Sequence, residues 1–175
     1  HRMPADKICL ALNQRLPQDI RVQSSKEVEP DWHPRKHHCI KSYEYKILNR
    51  KIEIPTQRFY AHFCYFKLDL DRMRMAAEIL VGEHDFKSFC SAHTQVKDTV
   101  RTIFHIDIQK DSSGMITIGI TGNGFIYNMV RIIAGTLIAA GSGQIDPEDL
   151  KGILEARERK AAGPTAPARG LTLVK

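Results

Sequence analysis

Between Ser112 and Ile145 the sequence has one charged residue, Arg131. It stands inside Gly-Asn-Gly-Phe-Ile-Tyr-Asn-Met-Val-Arg-Ile-Ile-Ala-Gly, a run that otherwise reads as buried helix. A guanidinium cannot shed its proton in a protein, so burying it requires an anion, and with no Asp or Glu nearby in sequence the partner must come from elsewhere. Two readings are open. In one, Arg131 is structural, paired with a carboxylate from a distant segment or buried only along its stem with the head in water. In the other it is an active-site arginine that holds a catalytic carboxylate or a phosphate. Asn123, Tyr127 and Asn128 favour the second, because they add hydrogen-bonding groups at a helix start where free backbone N–H groups already attract anions.

Other absences exclude whole classes. The four cysteines, Cys9, Cys39, Cys64 and Cys90, form no CxxC pair, which fits neither a disulfide framework nor a zinc motif and points to a reducing, cytoplasmic setting. His33, His37, His38 and Cys39 are close together, yet their spacing matches no familiar ligand pattern, so no metal is expected. The longest apolar run is broken by Arg131 and rich in Gly and Ala, so neither a membrane span nor a signal peptide is expected. No repeat or low-complexity tract is present. The first residue is His1 rather than Met, and the chain reads as a fragment of a longer product.

What remains is 175 residues, enough for one domain with a proper core or one domain plus part of another. The 26 Lys and Arg against 20 Asp and Glu give a net charge of +6. The excess is clustered: Arg35, Lys36, His37, His38 and Lys41 surround Trp32, and Arg157, Arg159, Lys160 and Arg169 lie near the end. Such clusters suit phosphate backbones, although solvated basic residues are also common on proteins that bind no nucleic acid.

Pro4 and the spacing of Ile8, Ala11, Leu12 and Arg15 predict a proline-started helix that Leu16-Pro17 ends. Ile20 and Val22 at period two predict a strand within Asp19 to Val28. From Lys41 a strand places Lys41, Tyr43, Tyr45 and Ile47 on one face and Ser42, Glu44 and Lys46 on the other. Arg58 to Phe66 is expected to be irregular or 3₁₀. Leu70, Met73, Ala77 and Leu80 predict a helix over Asp69 to Val81, stopped by Gly82. Phe104, Ile106 and Ile108, then Ile116, Ile118 and Ile120, predict a β-hairpin around Lys110-Asp-Ser-Ser-Gly. After the Arg131 helix, Asp146-Pro147-Glu148-Asp149 reads as an N-cap with proline at the first helical position, leading a helix to about Arg159. A Gly-Pro-Thr-Ala-Pro-Ala-Arg-Gly loop delivers a closing strand, Leu171 to Lys175. This order implies an α+β fold, a mostly antiparallel sheet with helices packed on one face and the other face open. Open faces lined by aromatic and basic residues are common RNA platforms.

Five stretches occur in an order that carries a family likeness. They are Lys41-Ser-Tyr43-Glu-Tyr45, Gly82-Glu-His-Asp85-Phe86-Lys-Ser88-Phe89, Arg101-Thr-Ile, Asn123-Gly-Phe-Ile-Tyr-Asn-Met-Val-Arg131-Ile-Ile-Ala-Gly135 and Gly163-Pro-Thr-Ala-Pro-Ala-Arg-Gly170-Leu171. Together they resemble the tRNA pseudouridine synthase A family, and the likeness extends over the whole chain, including Ala11 to Ile20 and Trp32-His33-Pro34-Arg35. The resemblance implies a pseudouridine synthase-like fold with residues 1–34 as the remnant of an N-terminal subdomain and 35–175 as the C-terminal subdomain. It implies a cytoplasmic, homodimeric enzyme that needs no cofactor and isomerises uridine to pseudouridine in the tRNA anticodon arm, at uridines 38 to 40.

The family's catalytic aspartate belongs to a Gly-Arg-Thr-Asp motif upstream of the segment matching Pro4 to Ile20, and this chain lacks it. The chain by itself is therefore expected to be inactive. Arg131 matches the arginine that pairs with that aspartate, and Tyr43 the tyrosine that stacks on the target base and helps to handle its proton. Leu171 matches an apolar residue of the base pocket, to which Asn123, Phe125 and Asn128 are added here. Arg35, Lys41, Lys97 and Arg101 are candidate RNA contacts. Two departures from the family touch these last: Lys97-Asp98 stands where many relatives have Arg-Thr, and Trp32-His33-Pro34-Arg35 where many have Phe-His-Ala-Arg. The alternatives are a non-catalytic α+β RNA-binding domain, or a dimerisation domain in which the apolar helix 125–140 is an interface and Arg131 pairs across it.

Overall fold

The computed structural model describes residues 3–33, 40–91, 96 and 98–175. The chain divides into two compact units, residues 1–38 and 39–175.

In the first unit a 3₁₀ turn at Ala5–Lys7 runs into a short helix, α1 (Ile8–Asn13). Its buried residue is Cys9, while Leu12 is exposed. The strand expected within Asp19 to Val28 does not form. Asn13 instead binds the backbone of Val22 at both ends, Oδ1 accepting its N–H at 2.8 Å and Nδ2 donating to its carbonyl at 2.9 Å. One side-chain amide thus replaces the ladder that an extended segment would otherwise need. Ser25 adds a second tie, accepting the Cys9 N–H at 2.9 Å and donating to the Ala5 carbonyl.

Among the described residues the second unit is built on six strands: β1 (Lys41–Asn49), β2 (His62–Cys64), β3 (Gly82–Asp85), β4 (Val100–Lys110), β5 (Met115–Gly122) and β6 (Leu171–Leu173). Their order is β2-β1-β5-β4-β3, with β6 also on β1. Only β1 and β2 run parallel. The α+β class and the mostly antiparallel sheet are as expected. Ile116, Ile118 and Ile120 of β5 are fully buried with Tyr45 and Ile47 of β1 beneath three helices, α2 (Leu70–Leu80), α3 (Met129–Gly141) and α4 (Asp149–Ala156). The alternation of β5 is the period-two signature of a half-covered sheet. Its other face carries Ser42, Glu44 and Lys46 beside Thr121, Gly119 and Thr117, and then His105, Asp107 and Gln109. These three rows hold no Phe, Tyr or Trp and carry charges of both signs, while Phe104 of β4 is exposed outside the core.

Several local expectations shift, each for a reason outside the local pattern. Phe104 is 49% exposed because a β-bulge between Ile103 and His105 turns the strand, so Ile103 enters the core instead. Within Arg58 to Phe66 the structure forms β2, a three-residue strand held by the end of β1. Asn49 secures it, its Nδ2 donating to the carbonyls of Cys64 and Phe66 at 3.1 and 2.6 Å while its Oδ1 accepts from Lys110 Nζ at 3.0 Å. Asp69, not part of the apolar repeat, caps α2 by accepting the N–H groups of Asp71 and Arg72. Helix α2 ends at Leu80 with an extended Val81 as its C-cap, and Gly82 follows at φ 112°, as the expected stop and as the first residue of β3. Asp146 does not cap α4, because its carboxylate pairs with Arg72 at 2.7 Å. That helix ends at Ala156, where Arg157 takes the left-handed conformation (φ 51°). The hairpin turn holds as read: Asp111 Oδ1 accepts from the N–H groups of Ser113 and Met115 and from the Ser113 hydroxyl.

His62 on β2 has a buried Nδ1 with no hydrogen-bond partner among the described residues. Burial, reinforced by the positive charge of Arg169, lowers its pKa below the ordinary histidine value. The unfolded chain therefore binds a proton that the folded chain resists. Stability is fully present above about pH 6.5 and declines as the pH falls from there towards the folded value. Urea midpoints at pH 7.5 and 5.5 should show a fall in the wild type that is smaller in His62→Phe. Equal falls in the two proteins would assign the acid sensitivity elsewhere.

Candidate active site

The loop after β5 and the start of α3 shape a cleft of about 340 Å³ on the helical side of the sheet. Its lining includes Tyr43, Phe125, Asn128, Arg131, Ala168 and Leu171. That size is near the lower end for small-molecule sites, roughly 300 Å³, and suits one nucleobase better than a large ligand. Tyr43 and Phe125 meet edge to face, ring centroids 5.2 Å apart and planes at 89°. Gly122 makes room for this pair, since a Cβ there would stand 3.2 Å from the Phe125 ring and 2.8 Å from the Thr102 carbonyl oxygen. Among the described residues no group bonds the Tyr43 hydroxyl.

Arg131 and Ile138 are the only residues of α3 that are not buried. The Arg131 guanidinium is held at two points: Nε donates to the Ala166 carbonyl at 2.7 Å, and one terminal nitrogen donates to Asn128 Oδ1 at 3.0 Å. No carboxylate pairs with it among the described residues. A structural ion pair within the chain is therefore not what holds it. Two neutral acceptors fix the fork and leave its charge uncompensated beside the cleft, an arrangement that favours an anion there.

The 163–170 loop is locked to α3 by backbone approach. Ala166 donates its N–H to the Arg131 carbonyl at 3.1 Å, and Gly163 donates to Thr136 Oγ1 at 3.0 Å. Gly135 has no side chain because the Pro164 carbonyl oxygen occupies that space. Tyr45 holds the far end of the loop, its buried hydroxyl donating to the Pro167 carbonyl at 2.8 Å. Burial pushes that phenol well above the usual tyrosine range, against the pull of Arg131 and Arg169, so it is neutral at any working pH. Together these contacts set Ala168 and Leu171 over the cleft.

The remaining candidates lie around or away from it. Asn123 is not in the cleft lining; its Oδ1 accepts the Thr102 N–H at 2.9 Å and its Nδ2 meets Thr102 Oγ1 at 3.3 Å. Lys41 begins β1 opposite Gly122, at the same end of the sheet as the cleft. Arg101 donates to the backbone carbonyls of Asp98 and Val100 and lies 3.9 Å from the Asp98 carboxylate. Arg35 and Lys97 fall outside the described residues, as do His37, His38 and Cys39 of the histidine-rich stretch. No cluster of metal-binding side chains occurs among the described residues. The sequence singled out Tyr127 beside the Arg131 helix start, and the structure puts it at the cleft rim, 68% exposed. It did not point to Tyr45 as an anchor or Ala168 as lining, although Tyr45 belongs to the Lys41-Ser-Tyr43-Glu-Tyr45 stretch.

Comparison with known proteins bears on the same region. Residues 76–175 match the sequence pattern of a family described as tRNA pseudouridine synthase. The chain is 46% identical over 172 residues to a Bacillus pumilus protein named tRNA pseudouridine synthase A, covering 98% of this chain and 69% of that relative. It is 45% identical over 171 residues to the protein of that name from Bacillus subtilis, with the same coverage. With that from Thermoanaerobacter pseudethanolicus it shares 42% over 174 residues, 99% of this chain and 71% of the relative.

Proposed function

Because the chain belongs to the tRNA pseudouridine synthase family, we propose that it supplies most of an enzyme that isomerises uridine to pseudouridine in the tRNA anticodon arm, at uridines 38 to 40. The observation that carries this reading is the cleft, where a doubly held arginine with no carboxylate partner among the described residues faces an aromatic and apolar slot. A base must leave its stack to be detached and turned, and such a slot receives it with little water. The reaction breaks the bond from sugar to ring nitrogen and remakes it to a ring carbon, which loses its proton. It is an isomerisation with no net redox change, and no cofactor enters.

Arg131 holds the catalytic aspartate in place and keeps it ionised. That aspartate is not within these 175 residues, which contain no Gly-Arg-Thr-Asp, so the chain alone is inactive on this reading. Tyr43 stacks on the base with its ring and offers an unengaged hydroxyl to the proton that must leave carbon. Phe125, Asn128 and Leu171 line the slot, and Asn123 acts through the loop it fastens at Thr102. Lys41 and Arg101 lie at the cleft end of the sheet and, with Arg35 and Lys97, meet the RNA backbone. Residues 1–34 are the remnant of an N-terminal subdomain and 35–175 the C-terminal one. On this reading the enzyme is a cytoplasmic homodimer, as the family likeness implies. No helix among the described residues is long and apolar enough to cross a membrane.

The test is pseudouridine formation in an anticodon stem-loop RNA, detected by carbodiimide adducts, with this chain and the full-length gene product side by side. Activity in the full-length protein alone is the expected result. No activity in either would turn the assignment to a non-catalytic RNA-binding or dimerisation domain. In the active protein, Tyr43→Phe should fold as the wild type does and lose most of its turnover, because stacking survives and the hydroxyl does not. Full turnover in that variant would leave Tyr43 as a packing residue.

A further inference from the structure

Ser91 does not line the cleft, yet its hydroxyl bonds the residue that holds Arg131. Arg131 has only donors, so Asn128 can meet it only through Oδ1. That choice turns the Asn128 NH₂ the other way, where it donates to Ser91 Oγ at 2.9 Å. The backbone joins the same two segments, the Ser91 N–H donating to the Tyr127 carbonyl at 3.4 Å. Asn128 itself is in the left-handed conformation (φ 63°, ψ 4°), which asparagine tolerates better than most residues, and its side chain caps nothing. It is free to serve as the link between Ser91 and Arg131.

Ser91 is well placed for this duty because the segment before it is secured. Asp85 Oδ1 accepts the Lys87 N–H at 3.1 Å and the Thr99 hydroxyl, and Asp85 Oδ2 pairs with Arg157 Nε at 3.1 Å. Fully buried Ser88 accepts the Glu158 N–H at 2.8 Å, and Phe86 and Phe89 are in the core. The chain therefore reaches Ser91 from a rigid platform.

We propose that Ser91 is a positioning residue for the reaction: its hydroxyl oxygen fixes the amide of Asn128 in the one orientation that holds Arg131 against the catalytic carboxylate. The proposal rests on the assignment of Arg131 above. Without an acceptor at position 91 the amide is free to turn over and present NH₂ to the guanidinium, donor against donor. Arg131 would then keep only its bond to Ala166, and a displacement of about 1 Å at a reacting group can cost up to about a hundredfold in rate.

The experiment compares Ser91→Thr, which keeps the hydroxyl, with Ser91→Val, which has the same shape and no acceptor, in the full-length protein. Ser91→Thr should retain near wild-type kcat, and Ser91→Val should lose about tenfold or more in kcat with KM for tRNA changed less than about twofold. On an Asn128→Ala background Ser91→Val should cost nothing further, since the two residues act in series. An unchanged kcat in Ser91→Val, or losses that multiply in the double variant, would overturn the proposal. A second readout does not depend on turnover: the side-chain N–H resonances of Arg131 in ¹⁵N spectra should shift or broaden in Ser91→Val and not in Ser91→Thr. Unmoved resonances would also overturn it. If the wild-type protein forms no pseudouridine, the functional reading fails, and these resonances still decide whether Ser91 sets the arginine.

Discussion

Arg131→Ala in the full-length protein is expected to reduce pseudouridine formation by about a hundredfold to several thousandfold while weakening tRNA binding by less than about tenfold. The first figure follows from leaving a buried carboxylate without its partner, which costs roughly 3–5 kcal/mol, at about 1.4 kcal/mol per decade of rate. The second follows because a single cation among many phosphate contacts contributes little to affinity. Arg131→Lys should rescue little. A lysine keeps the charge, but the fork that binds the Ala166 carbonyl and Asn128 Oδ1 at once is lost. Single-turnover rates with tRNA in excess of its dissociation constant separate the two effects. Turnover within tenfold of wild type in Arg131→Ala would remove Arg131 from the active site and return it to a structural role.

The second large effect is on stability, and its sign is the test. Replacing glycine by alanine inside a helix ordinarily stabilises by up to about 1 kcal/mol, since alanine loses less backbone freedom on folding. At Gly152, in the exposed part of α4 with no atom within 4 Å of a built Cβ, Gly152→Ala should do that. At Gly135 the same Cβ would lie 1.8 Å from the Pro164 carbonyl oxygen and 2.9 Å from its carbon. Both are backbone atoms, so no rotamer change relieves the contact, and the 163–166 segment must be pushed off α3. The bonds from Gly163 to Thr136 and between Ala166 and Arg131 go with it. Overpacking at about 1–3 kcal/mol and three lost hydrogen bonds at about 1 kcal/mol each, less the ordinary gain of about 1 kcal/mol for alanine in a helix, give a destabilisation of about 3–5 kcal/mol. For a chain of this size that lowers Tm by about 6–20 °C. Thermal unfolding of the two variants should move in opposite directions. A stabilised Gly135→Ala would mean that the loop does not lie on α3 as described. Activity should fall with stability at Gly135, because the displaced loop carries Ala168 and Leu171 out of the cleft.

The amino-acid sequence by itself determined the long strands, the hairpin and the α2 helix, because each repeats its apolar residues often enough to declare a period. It also singled out Arg131, since a lone charge in an apolar stretch has to be explained by its surroundings. It pointed to Tyr43 and Leu171 through the family likeness and to Phe125 as a further wall of the pocket, and these the fold brings to one cleft with Asn128 and Arg131. Tertiary structure alone decided the rest. A three-residue strand such as β2 has no period to read and exists because β1 offers an edge. The bulge at Phe104 exchanges which residue of β4 is buried, a choice invisible to alternation. Asp146 had the sequence of a helix cap, yet Arg72 claims its carboxylate from another helix. Asn13 satisfied the backbone that was expected to become a strand. At β2 and Asp146 a partner distant in sequence overrides a local preference worth about 1 kcal/mol, which is why local patterns locate elements and only the assembled chain decides how their ends and polar groups are used.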